Sequence, residues 1–406
     1  MTIVELTHLY KDLHRHPELS FQEHRTARKV ADWLTKLGYD VSSGVGGTGV
    51  VGRLGNGPGP TVLLRADMDA LPVEEATGLP YASTATGIDA DGATVPVMHA
   101  CGHDMHMACL VGAADQLIRA RADWAGTLLV VFQPGEEVGS GARRMVEDGL
   151  YRRFGRPDIV LGQHVMPLPA GTVGWRAGPT FAATDAFRVT LFGKGAHGSR
   201  PEVAVDPVVM AAAVVMRLQT VVSREIAAGD TAVVTVGSIR AGVKGNIIPD
   251  DAEIRVSIRT YTPGVRRSVL AAFERIVAAE AAASNAPRAP EIVRTSSFPV
   301  LENDARATAR TVAALEAALG PERVVEIPAV TASEDVGELA TAADAPLCFW
   351  TLGGTDPRVH RDARLNAEDV PSNHQATYAP VIEPTLSTGV RALAAAARTW
   401  LSDPIT

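Results

Sequence analysis

Apolar positions follow two different periods along this chain, and the change of period marks out its elements. Val30, Ala31, Leu34 and Leu37 recur at helical spacing behind Ser20 and Glu23, and Gly38 follows them. That pattern predicts a helix opened by a capping box and stopped by glycine. The runs 61–64, 128–132 and 159–161 are short, partly β-branched and separated by helical patterns, as buried strands of one mainly parallel sheet should be. From about Asp185 the order becomes strand 187–192, helix 206–224, strand 231–239, strand 252–260, helix 265–284 and strand 291–295. This βαββαβ order predicts a ferredoxin-like unit, with Asp206 as N-cap and Pro207 in the first turn of its first helix. After Pro299 the pattern returns to α/β material: a helix over 304–319, an apolar run over 346–352 and a final helix within 379–401. The expected fold class is α/β, a mainly parallel-sheet domain formed by 1–182 and 299–406 with a ferredoxin-like domain, 183–298, inserted into it.

Composition narrows the function classes. The 406 residues are 46% apolar, ordinary for a globular chain with room for two cores, and the net charge is −8. An acidic balance supplies no electrostatic footprint for nucleic acid or an anionic membrane, which leaves small-molecule chemistry. The start, MTIVELTHLYKDLHRHPELS, has no apolar core of a signal peptide, and no later stretch approaches a membrane span on this reading, so a cytoplasmic location is expected. Three cysteines are too few for a disulfide framework; Cys109 and Cys348 read as core filling.

Candidate chemistry gathers where strands end. In α/β sheets ligands collect at the carboxyl ends of strands. The first strand runs into Asp67 and Asp69, the second into Gln133-Pro134-Gly135-Glu136-Glu137, and the third into Gln163-His164, while His374 sits in a loop ahead of the final helix. A fourth cluster, His99-Ala100-Cys101-Gly102-His103-Asp104-Met105-His106, stands before a helical pattern over 107–118, and a helix amino terminus favours thiolate. Cys101 as thiolate, neutral imidazoles at His103, His164 and His374, and the carboxylate of Glu137 form a mixed sulfur, nitrogen and oxygen set suited to zinc or a similar metal. Five ligands point to two ions. Of two adjacent glutamates, Glu137 can hold metal while Glu136 takes a proton from metal-activated water and passes it to the leaving nitrogen. Each signal has a plainer counterpart: solvated glutamates, turn-capping aspartates, a core histidine at 164. The coincidence at one sheet edge favours the site. His14 and His16 belong to an amphipathic helix and read as local structure.

These residues resemble the amidohydrolase branch of the metal-dependent aminoacylase and carboxypeptidase clan, which includes hippurate hydrolases and indole-acetyl-amino-acid hydrolases. The resemblance runs over nearly the whole chain and rests on His14–Glu18, Arg65–Pro72, Met98–His106, Gln133–Glu137, Gly195–Gly198, Asn246–Pro249 and Ala379–Pro384. It implies a two-metal centre on Cys101, His103, Glu137, His164 and His374, with Glu136 as general base. It also implies that Asp69 orients a neighbour of the metal site; Asp67 falls where other branches carry a liganding histidine. The insert resembles the family's lid and dimerisation domain, implying a homodimer in which His197 reaches the partner subunit's site and Asn246 contacts substrate. Arg259 has two readings, a clamp for a substrate carboxylate and a strand-edge salt bridge. The chain departs from the family pattern at Gln375-Ala376, Glu202, Met105 and Val336.

The expected activity is hydrolysis of the amide of an N-acyl amino acid or a related small amide. The expected cofactors are two divalent ions, zinc or manganese first, with cobalt or nickel also fitting the ligand types. A dipeptidase or carboxypeptidase, and a metal- or metabolite-binding dimer without catalysis, stand as alternatives.

Overall fold

The structure, a computed structural model, describes residues 1–402. The chain divides into two compact units: Met1–Gly178 with Glu302–Pro328 and the described residues from Asp335 onward, and Pro179–Leu301 with Ala329–Glu334.

Among the described residues of the first unit, eight strands form one sheet in the order Asp40–Val45, Gly49–Asn56, Gly126–Gln133, Thr61–Asp67, Ile159–Pro169, Leu347–Thr355, Val173–Trp175, Val324–Glu326. The four central strands run parallel to one another. They are apolar and buried almost throughout, because helices Ile3–Arg15, His24–Leu37, His103–Arg119, Ala305–Leu319 and Thr385–Ser402 share one hydrophobic core with them. Two features differ from the sequence reading. Asp40–Val45 and Gly49–Asn56 form an antiparallel edge hairpin that the periodicity does not signal. The strand bearing His164 does not end there but continues to Pro169, because Leu347–Thr355 pairs with it along most of its length.

The capping box expected at Ser20 and Glu23 is not formed. Helix His24–Leu37 starts beside Glu23, whose side chain makes no cap bond. Glu18 instead accepts the N–H groups of Arg25 at 3.0 Å and Thr26 at 2.8 Å. A carboxylate from outside the helix thus satisfies donors that an N-cap would normally take. Gly38 ends the helix as expected, in the left-handed region at φ 92°.

In the second unit, strands Ala183–Phe192, Ala232–Ala241, Asp251–Thr260 and Glu291–Phe298 form an antiparallel sheet with Ala232–Ala241 at one edge, followed by Asp251–Thr260, Ala183–Phe192 and Glu291–Phe298. Helices Pro207–Thr220 and Pro263–Ala283 pack on each other and on this sheet, burying Met210, Val214 and Leu218 with Val269, Phe273 and Ile276 against Phe187, Val189 and Leu191. Asp206 caps the first helix by accepting the Val208 N–H at 2.9 Å. The stretch Pro207–Glu225 corrects the reading that nothing approaches a membrane span: its length and mean hydropathy of 1.3 meet that test. Its buried positions pack in the core of this unit.

Candidate metal centre

Parallel pairing sets the three sheet-borne groups side by side. Thr61–Asp67 lies between Gly126–Gln133 and Ile159–Pro169, so Asp67 and Asp69, Glu136 and Glu137, and His164 emerge at neighbouring positions. Helix His103–Arg119 brings His103 as its first residue, with Cys101 just ahead. Between them Gly102 has φ +79°, and a Cβ there would lie 2.3 Å from Val165 Cγ1. Only glycine turns the chain at this point without strain or overlap. His374 also has a positive φ, 71°, and its N–H donates to the Ala100 carbonyl at 2.8 Å, tying its loop to the cysteine segment.

All five expected ligands converge. His103 Nε2 lies 3.8 Å from Glu137 Oε1, His374 Nε2 lies 3.4 Å from Glu137 Oε2, and Cys101 Sγ lies 3.4 Å from His164 Nε2. Ligand atoms of Cys101, Glu137 and His374 lie within 4.8 Å of one another, as do those of His103, Glu136 and Glu137. His103 Nδ1 faces the Asp69 carbonyl at 2.8 Å and His164 Nδ1 the Val165 carbonyl at 2.8 Å. A carbonyl can only accept, so each ring carries a proton on Nδ1 and turns Nε2 to the centre. Against burial, the charges of Asp67, Asp69 and Glu137 lift His103 to about 10, so a cation bound there takes the place of the proton on its Nε2.

The donor set fits a bound cation. His103 Nε2 and Glu137 Oε1 are both buried and have no hydrogen-bond partner, a costly arrangement unless something positive lies between them. Burial, then the charges of Glu137, Glu136 and Asp67, push the Cys101 thiol well above its ordinary range. The thiolate expected within the ligand set therefore depends on an adjacent cation rather than on the helix terminus alone. Burial, with the charges of Asp69 and Asp67, also pushes Glu137 up. Burial and the neighbouring His106 push His164 well down, so it stays neutral and able to ligate.

Behind these groups lies a set built on Asp67, which the sequence placed near the site, and on Arg65, His106, Gln133 and Asp335, to which it gave no role. Asp67 accepts from Arg65 Nη1 at 2.9 Å and pairs with His106 Nδ1 at 2.6 Å, while His106 Nε2 accepts the Val165 N–H at 2.7 Å. Arg65 and Gln133 also reach Asp335, at 3.3 Å and 2.6 Å. His106 stands three residues after His103 on one helix, and that i, i+3 spacing was the available signal. Asp69 Oδ2 accepts the Glu137 N–H at 3.0 Å and the Ser20 hydroxyl at 2.7 Å. His14 is more than a helix residue: buried, it bridges Asp104 at 2.6 Å and Glu75 at 3.0 Å.

Three expected residues belong to the second unit. His197 is exposed, with Nδ1 2.7 Å from the Ser199 hydroxyl, and Asn246 is exposed beside it in sequence-remote pairing, its carbonyl accepting the Gly198 N–H at 2.8 Å. Arg259 makes no salt bridge among the described residues; its Nη1 donates to the Thr331 carbonyl at 2.6 Å.

A family model described as peptidase family M20/M25/M40 matches residues 63–383. An N-acetylcysteine deacetylase of Bacillus subtilis is 37% identical over 302 residues, 74% of this chain and 76% of that protein. A hippurate hydrolase of Campylobacter jejuni is 41% identical over 265 residues, 65% of this chain and 66%, just under two thirds, of its own length. A crystal structure from Bacillus subtilis, described as a dinuclear metal-binding peptidase of the M20 family, is 30% identical and superposes with a TM-score of 0.75, covering 98% of each chain.

Proposed function

This chain belongs to peptidase family M20/M25/M40, and from that premise we propose that it is a metal-dependent amidohydrolase acting on N-acyl amino acids or related small amides. The observation that carries the proposal is the orphaned pair His103 Nε2 and Glu137 Oε1, 3.8 Å apart, with Cys101, His164 and His374 closing around it. The deacetylase and hippurate hydrolase names of two relatives support the substrate class.

In this reading Cys101, His103, Glu137, His164 and His374 hold two divalent ions, zinc or manganese by ligand type, with cobalt or nickel also accommodated. When bound, the ions supply Lewis acidity, lowering the pKa of water and polarising the attacked carbonyl. Glu136, buried beside His103 and Glu137, takes the proton from the attacking water and gives it to the departing nitrogen. Asp69 positions both sides of the centre, receiving Nδ1 of His103 on its carbonyl and the Glu137 N–H on its carboxylate. Asp67, held by Arg65 and His106, is assigned a supporting role rather than that of a ligand.

The proposal extends to the insert, with boundaries 1–182, 183–298 and 299–406. We assign 183–298 as a ferredoxin-like lid and dimerisation domain, supported by its strand order and its surface. Val209 and Met216 are 64% and 71% exposed on helix Pro207–Thr220, and Val233 and Ile239 are exposed on the edge strand Ala232–Ala241. An apolar helix face beside an open sheet edge calls for a cover, and a second copy supplies one. The partner subunit's His197 then stabilises the developing oxyanion, and Asn246 contacts substrate. Arg259, half-buried without an acidic partner among the described residues, is the clamp for the substrate carboxylate.

The test is a hydrolysis panel on metal-stripped protein with zinc, manganese, cobalt or nickel restored in turn. N-acetyl and N-benzoyl amino acids should be cleaved and free dipeptides should not. A metal-loaded protein that leaves every acylated amino acid intact overturns the proposal. Glu136→Ala should keep its metal by elemental analysis and lose about 10²–10⁴-fold in kcat.

A further inference from the structure

We propose that Glu23 is a positioning residue for the paired glutamates, fixing the 134–137 turn from which Glu136 and Glu137 reach the metal centre. The inference rests on the roles assigned above to those two residues.

Glu23 stands at the N-cap position of helix His24–Leu37, yet its carboxylate does nothing for that helix; Glu18 takes the first-turn N–H groups instead. The side chain turns inward and is completely buried. Burying a carboxylate is expensive unless its oxygens are hydrogen-bonded, and both are. Oε1 accepts the Gly135 N–H at 2.9 Å, and Oε2 accepts the Thr48 hydroxyl. A stabilising role within its own helix would not need either contact.

The neighbours of Glu23 serve the same turn. Phe21 is held in the left-handed region, at φ 62°, with its ring against Gly135, where a Cβ would come within 2.4 Å of Phe21 Cζ. The Arg144 guanidinium covers that ring, 3.8 Å from its centre. Ser20 donates to Asp69 Oδ2, the same oxygen that accepts the Glu137 N–H. The peptide between Glu136 and Glu137 is therefore held by Asp69 and the Pro134–Gly135 peptide, at the start of the turn, by the buried carboxyl group of Glu23, and residues 20–23 touch or supply both. With the turn pinned at its first peptide and again just after Glu136, the backbone carrying Glu136 keeps one path, and Glu137 leaves the turn toward His103.

The experiment compares full-length, metal-loaded wild type with Glu23→Ala, Glu23→Gln and Thr48→Val, reading kcat, KM, zinc dissociation by chelator competition, and melting temperature. Glu23→Ala should lower kcat about 10- to 100-fold and weaken zinc binding about tenfold, with KM changed less than twofold. Glu23→Gln, whose amide oxygen can accept from Gly135 while its NH₂ donates to Thr48, should restore most of both. If Glu23→Ala does not fold, Thr48→Val carries the test: removing one of two holds should cost about fivefold in kcat. A folded Glu23→Ala with a lowered melting temperature but unchanged kcat and zinc affinity overturns the proposal, as does an unchanged Thr48→Val. Glu136→Ala run alongside separates the two readings. If that variant is inactive while Glu23→Ala matches wild type, only the positioning role fails; an active Glu136→Ala removes the base assignment itself.

Discussion

His14 shows how much a single buried imidazole can contribute. Burial disfavours its charged form, but the hydrogen bonds and charges of Asp104 and Glu75, one on each ring nitrogen, outweigh that and lift it to about 9. The folded pKa lies above the ordinary value of 6.5, so the stabilisation is complete below about pH 6.5 and is lost as the pH rises through about 9. His14→Gln, which leaves two buried carboxylates without a cation, is expected to cost about 3–5 kcal/mol near pH 6 in urea unfolding. The gap to wild type should shrink by pH 9.5; a gap independent of pH would refute the charged triad. Cys101→Ser should lower zinc content by elemental analysis while leaving the fold intact, since serine is far less easily held as an anion ligand. At this scale residue types were legible and partners were not. Cys101, His103 and the glutamate pair announce a metal by chemistry alone, whereas nothing in the spacing of His14, Glu75 and Asp104 joins them across 90 residues of chain.

Among elements, the start of helix His103–Arg119 combines a steric demand with a left-handed backbone. Gly102→Ala would place a Cβ 2.3 Å from Val165 Cγ1 at φ +79°. The expected loss is about 2–4 kcal/mol, from the backbone strain and the overlap together. Adding Val165→Ala should remove the overlap but not the strain, so the double variant should melt between Gly102→Ala and the sum of the two single effects. Strict additivity would argue against the contact. Sequence periodicity located the buried central strands well because both faces of each are covered, which leaves continuous apolar runs. It missed the hairpin Asp40–Val45 with Gly49–Asn56, whose first strand is largely open to solvent and reads as polar. It also assigned Ser20 and Glu23 to a cap, because a local pattern cannot reveal that Asp69, Thr48 and Gly135 compete for the same side chains.

For the whole molecule, the proposed assembly makes a direct prediction. Met216→Glu places a charge on the exposed apolar helix face of the second unit and is expected to convert dimer to monomer in sedimentation velocity; a wild-type monomer at micromolar concentration would dispose of the dimer. The order of the sheet has a consequence for synthesis. Ile159–Pro169 pairs with Leu347–Thr355, and His374 follows later still, so a nascent chain that has emerged through residue 340 has a sheet with an open edge and four of its five candidate ligands. On the ribosome the chain must carry that exposed ladder through the translation of nearly two hundred residues. The last quarter of the polypeptide thus seals the sheet and brings the fifth candidate ligand; on the proposed assignment the metal centre is completed late, and the period before it is the interval of greatest exposure to chaperones and proteases.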